Sequence, residues 1–374
     1  MIALGALSAA NASPVAVAVL IVVVVAFAWN LGAHYTGAVM GMPFAARAIA
    51  EWPALLLIGV FTIVGATFAS GRVETTVGQN IIDDRFVRIP DAIVIVLAAG
   101  ALTMLYTYWK IPTSTIQILV FCVVGVGVAG AIPIHWGTIG KLAVVWVVAP
   151  VAAFALGFLF TRLLDLVLPP AAARALVEAQ SGAHGEADGG WLAGAFPGVA
   201  QTWAAPSLPA SVTRSALTAL RLTPTLLVVV GVFASFTLGA NDVSNATGAF
   251  ILTHLFTLTV AGLIGGVAMA VGALTWGRRI LRAVAFDVVT MDLTMASAAQ
   301  GVQALVVIAA VTQGLFTSMN QALVGAMAGA GFARGRETVK RRQIVAILRG
   351  WAIGPLSGFA LAFALESLAR LVLR

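Results

Sequence analysis

Leu238-Gly239-Ala240-Asn241-Asp242-Val243-Ser244-Asn245-Ala246-Thr247-Gly248 sets Asn, Asp, Ser, Asn and Thr inside surroundings that are otherwise almost continuously apolar. A carboxylate at membrane depth is costly, so it faces a cavity and marks an ion or substrate path. Gly239 and Gly248 bracket the run, and glycine permits the irregular backbone of a broken helix. Broken helices aim free N–H and C=O groups at small ions near the bilayer midplane. The alternative reading is a polar loop between two spans.

The rest of the chain sets the class. It has 374 residues, 61% hydrophobic and 9% charged. A soluble domain of this size cannot cover so much apolar surface with so few charges. Val15–Phe27, Ala92–Leu105 and Leu142–Leu168 are long enough, alone or with their neighbours, to cross a hydrocarbon core. The chain therefore reads as an all-α, multi-pass integral membrane protein with the lipid bilayer as its solvent. A net charge of +7 would suggest nucleic acid in a soluble protein. Here the basic residues sit between spans, as the positive-inside bias requires, and no nucleic-acid partner is expected. Cys122 is the single cysteine, which excludes an internal disulfide or a thiolate metal site. His135, His184 and the linker acids show no metal-ligand spacing, so neither a metal nor another cofactor is expected. The first fourteen residues carry no charged side chain and lead into no cleavage site, so no cleavable signal peptide is expected.

Two hydrophobic halves, 1–168 and 222–374, flank a linker, 169–221, rich in Ala, Gly and Pro. Its composition suits a flexible connection or surface helices, for which 171–179 and 211–222 are candidates. The halves repeat one another. Leu31-Gly32-Ala33-His34-Tyr35-Thr36-Gly37-Ala38-Val39-Met40-Gly41 aligns without gaps to 238–248, keeping both flanking glycines. Thr113-Ser114-Thr115-Ile116-Gln117 aligns with Thr317-Ser318-Met319-Asn320-Gln321, and Trp146 to Pro150 with Trp351 to Pro355. Repeats with polar breaks at corresponding positions point to a secondary transporter and its binding site. The Arg278, Arg279, Arg282 cluster and the Arg334 to Arg342 cluster read as cytoplasmic, as does the linker. The mixed segment from Arg72 to Asp91 reads as an external loop, so the repeats are expected to be inverted. An even number of crossings between Arg221 and Arg278 then makes 241–257 re-entrant, with 33–50 as its counterpart.

At this point the residues carry a resemblance. Gly-Ala-Asn-Asp-Val-Ser-Asn-Ala at 239–246 resembles the signature of the inorganic phosphate transporter (PiT) family. So do the Gly65 to Thr76 segment, the paired motifs at 111–117 and 316–325, and Thr275-Trp276-Gly277, which resembles the family's Thr-Trp-Gly turn. The resemblance covers nearly the whole chain except the linker. It implies an inverted-repeat carrier of tetrahedral oxyanions with broken and re-entrant helices, driven by sodium or protons, homodimeric, and set in a bacterial cytoplasmic (inner) membrane.

The first repeat departs from the family pattern: Gly32-Ala33-His34-Tyr35 stands where phosphate carriers usually read Gly-Ala-Asn-Asp. Tyr35 carries no charge at neutral pH and is no strong ligand for a hard cation. Asp242 and His34 are left as the candidate ion-coupling groups, with a proton as the coupling ion and sodium as the alternative. Hydrogen phosphate can donate to a site carboxylate, whereas sulfate only accepts and is repelled by it. One carboxylate fewer leans the site toward sulfate, in keeping with a resemblance to the CysP-type sulfate permease branch, which also lacks the first-repeat Asp. Phosphate is the alternative substrate.

The anion donors are expected from Ser114, Thr115 and Gln117 in one half and Ser318, Asn320 and Gln321 in the other, each set opening an apolar helix. Unpaired N–H groups at helix N-termini attract anions. Simple helix capping is the competing role for these serines and threonines. Asn241 and Asn245 join the substrate set, and Asn30 either lines the site or caps a helix. Thr75 and Thr76 gate, bind ions, or are satisfied by their own helix backbone. Gly32, Gly41, Gly239 and Gly248 are expected to shape the breaks. Asp287 is expected to pair with Arg282 or Arg279, and His254 and Glu51 to sit near headgroups. Lys110 is expected to snorkel or to attract anions at the cytoplasmic mouth. A passive anion channel would use similar neutral donors without a titratable group. No nucleophile with a base, metal spacing or P-loop supports an enzyme.

Overall fold

A computed structural model describes residues 13–109, 113–167, 190–204, 214–287, 291–335 and 341–372. Lipid offers no partner to a backbone N–H or C=O, so a spanning chain must satisfy them internally, and the described residues are correspondingly helical. Eight of the helices are long and apolar enough to cross a membrane. The first half holds α1 (Pro14–Ala45), α2 (Glu51–Phe68), α3 (Gly71–Gln79), α4 (Ile89–Tyr108), α5 (Thr115–Ala129) and α6 (Trp136–Val167). Two short linker helices follow, α7 (Gly190–Ala195) and α8 (Pro197–Ala204). The second half holds α9 (Arg214–Asp242), α10 (Ser244–Leu252), α11 (Leu258–Gly272), α12 (Arg278–Asp287), α13 (Leu293–Thr312), α14 (Met319–Arg334) and α15 (Arg341–Val372).

The duplication read from three short motifs extends to element lengths. The last three helices run 20, 15 and 32 residues in the first half and 20, 16 and 32 in the second. At 1.5 Å per residue α5 and α14 reach only about 23 Å, short of a ~30 Å hydrocarbon core. Each is seated along the long last helix of the other half, α5 on α15 and α14 on α6. Close backbone approach makes these contacts possible. A Cβ on Gly329 would lie 1.9 Å from the Phe154 carbonyl oxygen, and one on Gly325 would lie 2.3 Å from that of Pro150. Small residues serve the same purpose at membrane helix interfaces in general. The corresponding helices α2 and α11 run antiparallel, with Gly59 beside Ala270, Ile63 beside Gly266 and Ala66 beside Gly262.

Several expectations change. The first motif, 31–41, lies wholly inside α1, so 33–50 is not a separate re-entrant piece. In the second half one turn residue, Val243, separates α9 from α10, the helix resumes through Leu252, and the chain turns at 253–257 before α11. The bracketing glycines serve packing and not irregular backbone. A Cβ on Gly32 would meet the Met269 carbonyl oxygen at 1.9 Å, and one on Gly239 would meet that of Thr62 at 2.0 Å. On Gly248 it would lie 2.3 Å from Val77. Gly41 is buried within α1. Besides the break at Val243, the helices are interrupted at Ala69–Ser70 and just before Thr115.

The segment expected as an external loop after Arg72 is the helix α3, with Glu74 fully buried. The ion pairs Asp83–Arg85 and Asp91–Arg88 follow it, and hydrogen bonds from Arg85 hold the Asp83 carboxyl below its usual pKa. Thr275-Trp276-Gly277 forms no turn but part of a π-helical stretch, Ala273–Gly277, between α11 and α12. Arg282 pairs with Glu51 at 2.6 Å and Arg278 pairs with it too, so Glu51 does not face headgroups alone, and the Asp287 side chain lies outside the described residues. His254 pairs with Asp84 at 3.3 Å. From Arg214 the chain already belongs to α9, so no separate surface helix occupies 214–222. Linker helices α7 and α8 dock on the turn after α1, Ala195 accepting from the Ala50 N–H at 2.8 Å and Arg47 from the Gly198 N–H at 2.9 Å. The expectations for Lys110, His184 and 171–179 lie outside the described residues.

Candidate functional site

Ser114 and Ser318 begin α5 and α14 in extended backbone, and each side-chain oxygen accepts the N–H of the residue three positions on. The distances are 3.4 Å to Gln117 and 3.3 Å to Gln321. Both serines are therefore helix caps, as the competing reading had it. A serine that accepts through its oxygen still carries one O–H to donate, so capping leaves a donor at each helix start. The two starts meet: the Gln321 side-chain amide donates to Gln117 Oε1 at 3.2 Å, whereas the two helices do not pack along their lengths. Two sets of unpaired helix N–H groups thus converge on one buried point.

The second-half signature wraps this point. Asn241 clamps the backbone of Thr317, donating to its carbonyl at 2.8 Å and accepting its N–H at 3.2 Å. The same amide donates to Asp242 Oδ2 at 2.9 Å. Asn245 donates to Asp242 Oδ1 at 3.4 Å and to Thr115 Oγ1 at 3.2 Å. Thr115 and Tyr35 share a 2.6 Å hydrogen bond, and Tyr35 lies beside Asp242. The carboxylate therefore accepts from Asn241 and Asn245, one to each oxygen. Such a cage suits an ionised carboxylate. Asn245 Oδ1, Gln321 Oε1 and Thr317 Oγ1 are buried polar atoms without a partner beside it.

His34 joins the same cluster. Its Nδ1 lies 2.8 Å from Thr107 Oγ1, and its Nε2 lies 3.4 Å from the Asn320 amide nitrogen. Thr107 spends its own hydrogen on the Thr103 carbonyl at 2.7 Å. Nδ1 must therefore be the donor to Thr107, which leaves Nε2 as the acceptor from Asn320 and the ring neutral.

The structure thus gathers Ser114, Thr115, Gln117, Ser318, Asn320, Gln321, Asn241, Asn245, Asp242, His34 and Tyr35. Asn30 stands apart, its amide directed at the Gly100 carbonyl 3.5 Å away. Thr75 bonds back to Gly71, and Thr76 to Arg72 and to Gly314, the backbone-satisfied alternative. Three neighbours escaped sequence reasoning. Glu74, placed in a loop by its charge, accepts from Thr247 at 2.6 Å. Gln300 and Gln303, three residues apart on one face of α13, bond to Ala38 and Met319. Two glutamines at helical spacing in an apolar span were a readable signal. Among the described residues no group of His, Cys, Asp or Glu could hold a metal ion.

The chain matches the phosphate transporter family over residues 31–362. It is similar to the sulfate permease CysP of Bacillus subtilis, 25% identical over 344 residues that cover 91% of this chain and 85% of that one. It is also similar to the chloroplastic inorganic phosphate transporter 2-1 of Arabidopsis thaliana, 26% identical over 87% of this chain and 67% of that one. A solved structure described as the sodium-dependent phosphate transporter shares its fold, with a TM-score of 0.80, 21% identity, and coverage of 96% of this chain and 100% of that one. These are transporters and not enzymes, and a match across all but the ends of a chain with eight candidate spans among its described residues carries over to it. This multi-pass membrane transporter belongs to the phosphate transporter family.

Proposed function

We propose that this chain is a secondary active transporter of a tetrahedral inorganic oxyanion, taking sulfate in symport with protons. The carrying observation is the meeting of two serine-capped helix starts at Gln117 and Gln321 around one donor-caged carboxylate. Neutral donors hold a divalent anion without the grip of an arginine clamp, which suits release. Tyr35 supports sulfate over phosphate, since it adds a hydroxyl where a second carboxylate would repel a substrate that only accepts. The antiparallel packing of the counterpart helices α2 and α11 supports an inverted repeat, and with it alternating access.

Asp242 and His34 are the proposed coupling groups. An ionised Asp242 opposes a dianion placed beside it, and a proton on Asp242 removes that opposition. A proton on His34 Nε2 would displace the Asn320 amide and free it for the anion. Homodimerisation and a bacterial cytoplasmic membrane complete the proposal. Phosphate is a second reading, favoured by the unpartnered Asn245 Oδ1 and Gln321 Oε1, which would accept from a protonated substrate. The test is radiolabelled sulfate uptake into proteoliposomes under an imposed proton or sodium gradient, with phosphate as competitor. Sodium-driven uptake, gradient-independent flux, or phosphate competing better than sulfate would overturn it.

A further inference from the structure

Glu74 is fully buried on α3, on the far side of α10 from the anion cluster by residue position: Thr247 faces Glu74, while Asn245 faces Thr115. Its Oε1 accepts from Thr247 at 2.6 Å, and its Oε2 has no partner. Ser70 stands next to it, but the Ser70 hydroxyl hydrogen is spent on the Ala66 carbonyl at 2.5 Å. Thr247 also has the Val243 carbonyl within reach at 3.0 Å, so its single hydrogen is contested. The pocket is one hydrogen short. An ionised carboxylate there would leave a buried oxygen uncompensated, which is costly. A carboxylic acid removes the charge and puts a hydrogen on the unpartnered Oε2, while Oε1 accepts from Thr247.

The charged surroundings offer no substitute. The elements packed on α3 are α10, α11, α9 and α13. α10, α11 and α13 carry no titratable side chain, and α9 carries Asp242 at this end and Arg214 and Arg221 at the other. On α3 itself, Arg72 donates to the Thr312 carbonyl. Asp242 meets the opposite condition, with a donor on each oxygen. The two carboxyl groups next to α10 are thus built for different protonation states.

We propose that Glu74 is a further proton-binding group of the transporter, separate from the anion site, and that the contact between α3 and α10 closes only when Glu74 carries a proton. Because α3 belongs to the first half and α10 to the second, relative movement of the halves would open this contact to water, where the acid ionises. Reclosing would then take up one proton per cycle. That proton would add to those assigned to Asp242 and His34. The inference rests on the proton-coupled reading above.

The test compares Glu74→Gln with Glu74→Asp in proteoliposomes. Gln matches the neutral acid in shape but cannot exchange a proton, whereas Asp titrates but is one methylene short. Glu74→Gln is expected to retain sulfate counterflow, which needs no net proton movement, while gradient-driven accumulation falls at least tenfold. Glu74→Asp is expected to accumulate sulfate more slowly but with wild-type proton-to-sulfate stoichiometry. A purely structural glutamate predicts the reverse order. If Glu74→Gln does not fold, infrared spectra of the wild type with 13C-labelled glutamate provide the second measurement. Glu366, the other buried glutamate among the described residues, pairs with Arg370, so a label-shifted carbonyl band of a buried carboxylic acid that persists in Glu366→Gln supports the proposal, and its absence overturns it. Wild-type protein that no proton gradient drives would defeat the functional reading itself. A proton-driven wild type with fully coupled Glu74→Gln would defeat only the Glu74 assignment.

Discussion

Ser114 and Ser318 each have two separable roles, and substitution can divide them. Ser→Ala removes the cap and the spare O–H together. The cap bonds are long, 3.4 and 3.3 Å against a usual 2.7–3.2 Å, so losing either should cost about 0.5 kcal/mol, the low end for an N-cap. In a chain of this size that is a melting shift of about 1–2 °C. The O–H offered to an anion in a dry site is worth more, about 1–3 kcal/mol, because its loss leaves a buried partner unpaired. At 1.4 kcal/mol per tenfold this weakens sulfate affinity by about 5- to 150-fold. Ser→Asp is the complementary probe, since aspartate caps as well as serine but repels the anion. Binding measured on purified protein, beside melting in detergent, should show near-normal stability and reduced affinity for the Ala pair, and no binding for the Asp pair, whose added buried carboxylate also lowers the melting temperature. A large melting loss with affinity within twofold of wild type would make the serines caps and nothing more. An effect from only one of the two positions would refute a shared anion between the motifs.

Asp242→Asn should fold and bind but fail to accumulate sulfate against its gradient, and concentrative uptake at the wild-type rate would refute its coupling role. Asn241→Ala orphans the N–H and C=O of Thr317, each worth about 1–3 kcal/mol, and should lower the melting temperature by several degrees, whereas an unchanged melt would show that the clamp is idle. Gly239→Ala puts a Cβ 2.0 Å from the Thr62 carbonyl oxygen and should destabilise by about 1–3 kcal/mol or more. Gly59→Ala meets nothing closer than 3.5 Å and should be neutral or stabilising, since alanine is the better helix former by about 1 kcal/mol. Equal melting shifts for the two would refute the packing account.

Much of the candidate site was legible because its signals are local. Ser114 and Ser318 open apolar helices, Asp242 is a carboxylate in an apolar run, and Tyr35 departs from its repeat partner; each is visible within a few residues. Other features were misread for a physical reason. Glycine was taken as a mark of broken helix, yet its local cost in a helix is only about 1 kcal/mol, easily outweighed when its missing side chain lets two backbones touch. Gly32, Gly239 and Gly248 all serve that end. Glu74 was read by its charge as solvent-facing, because a lone sequence does not reveal which carboxylates face Thr247 173 residues away.

By itself the sequence determined the membrane class, the helical fold, the duplication and the paired motifs, because these follow from composition, period and order along the chain. Tertiary structure alone decided where the helices break, that Gln117 meets Gln321, that Asn241 holds Thr317, and that two buried carboxyl groups next to α10 face opposite hydrogen-bond conditions. Those outcomes depend on which groups distant in the chain share a buried space, where every unpaired hydrogen counts and no water can supply one.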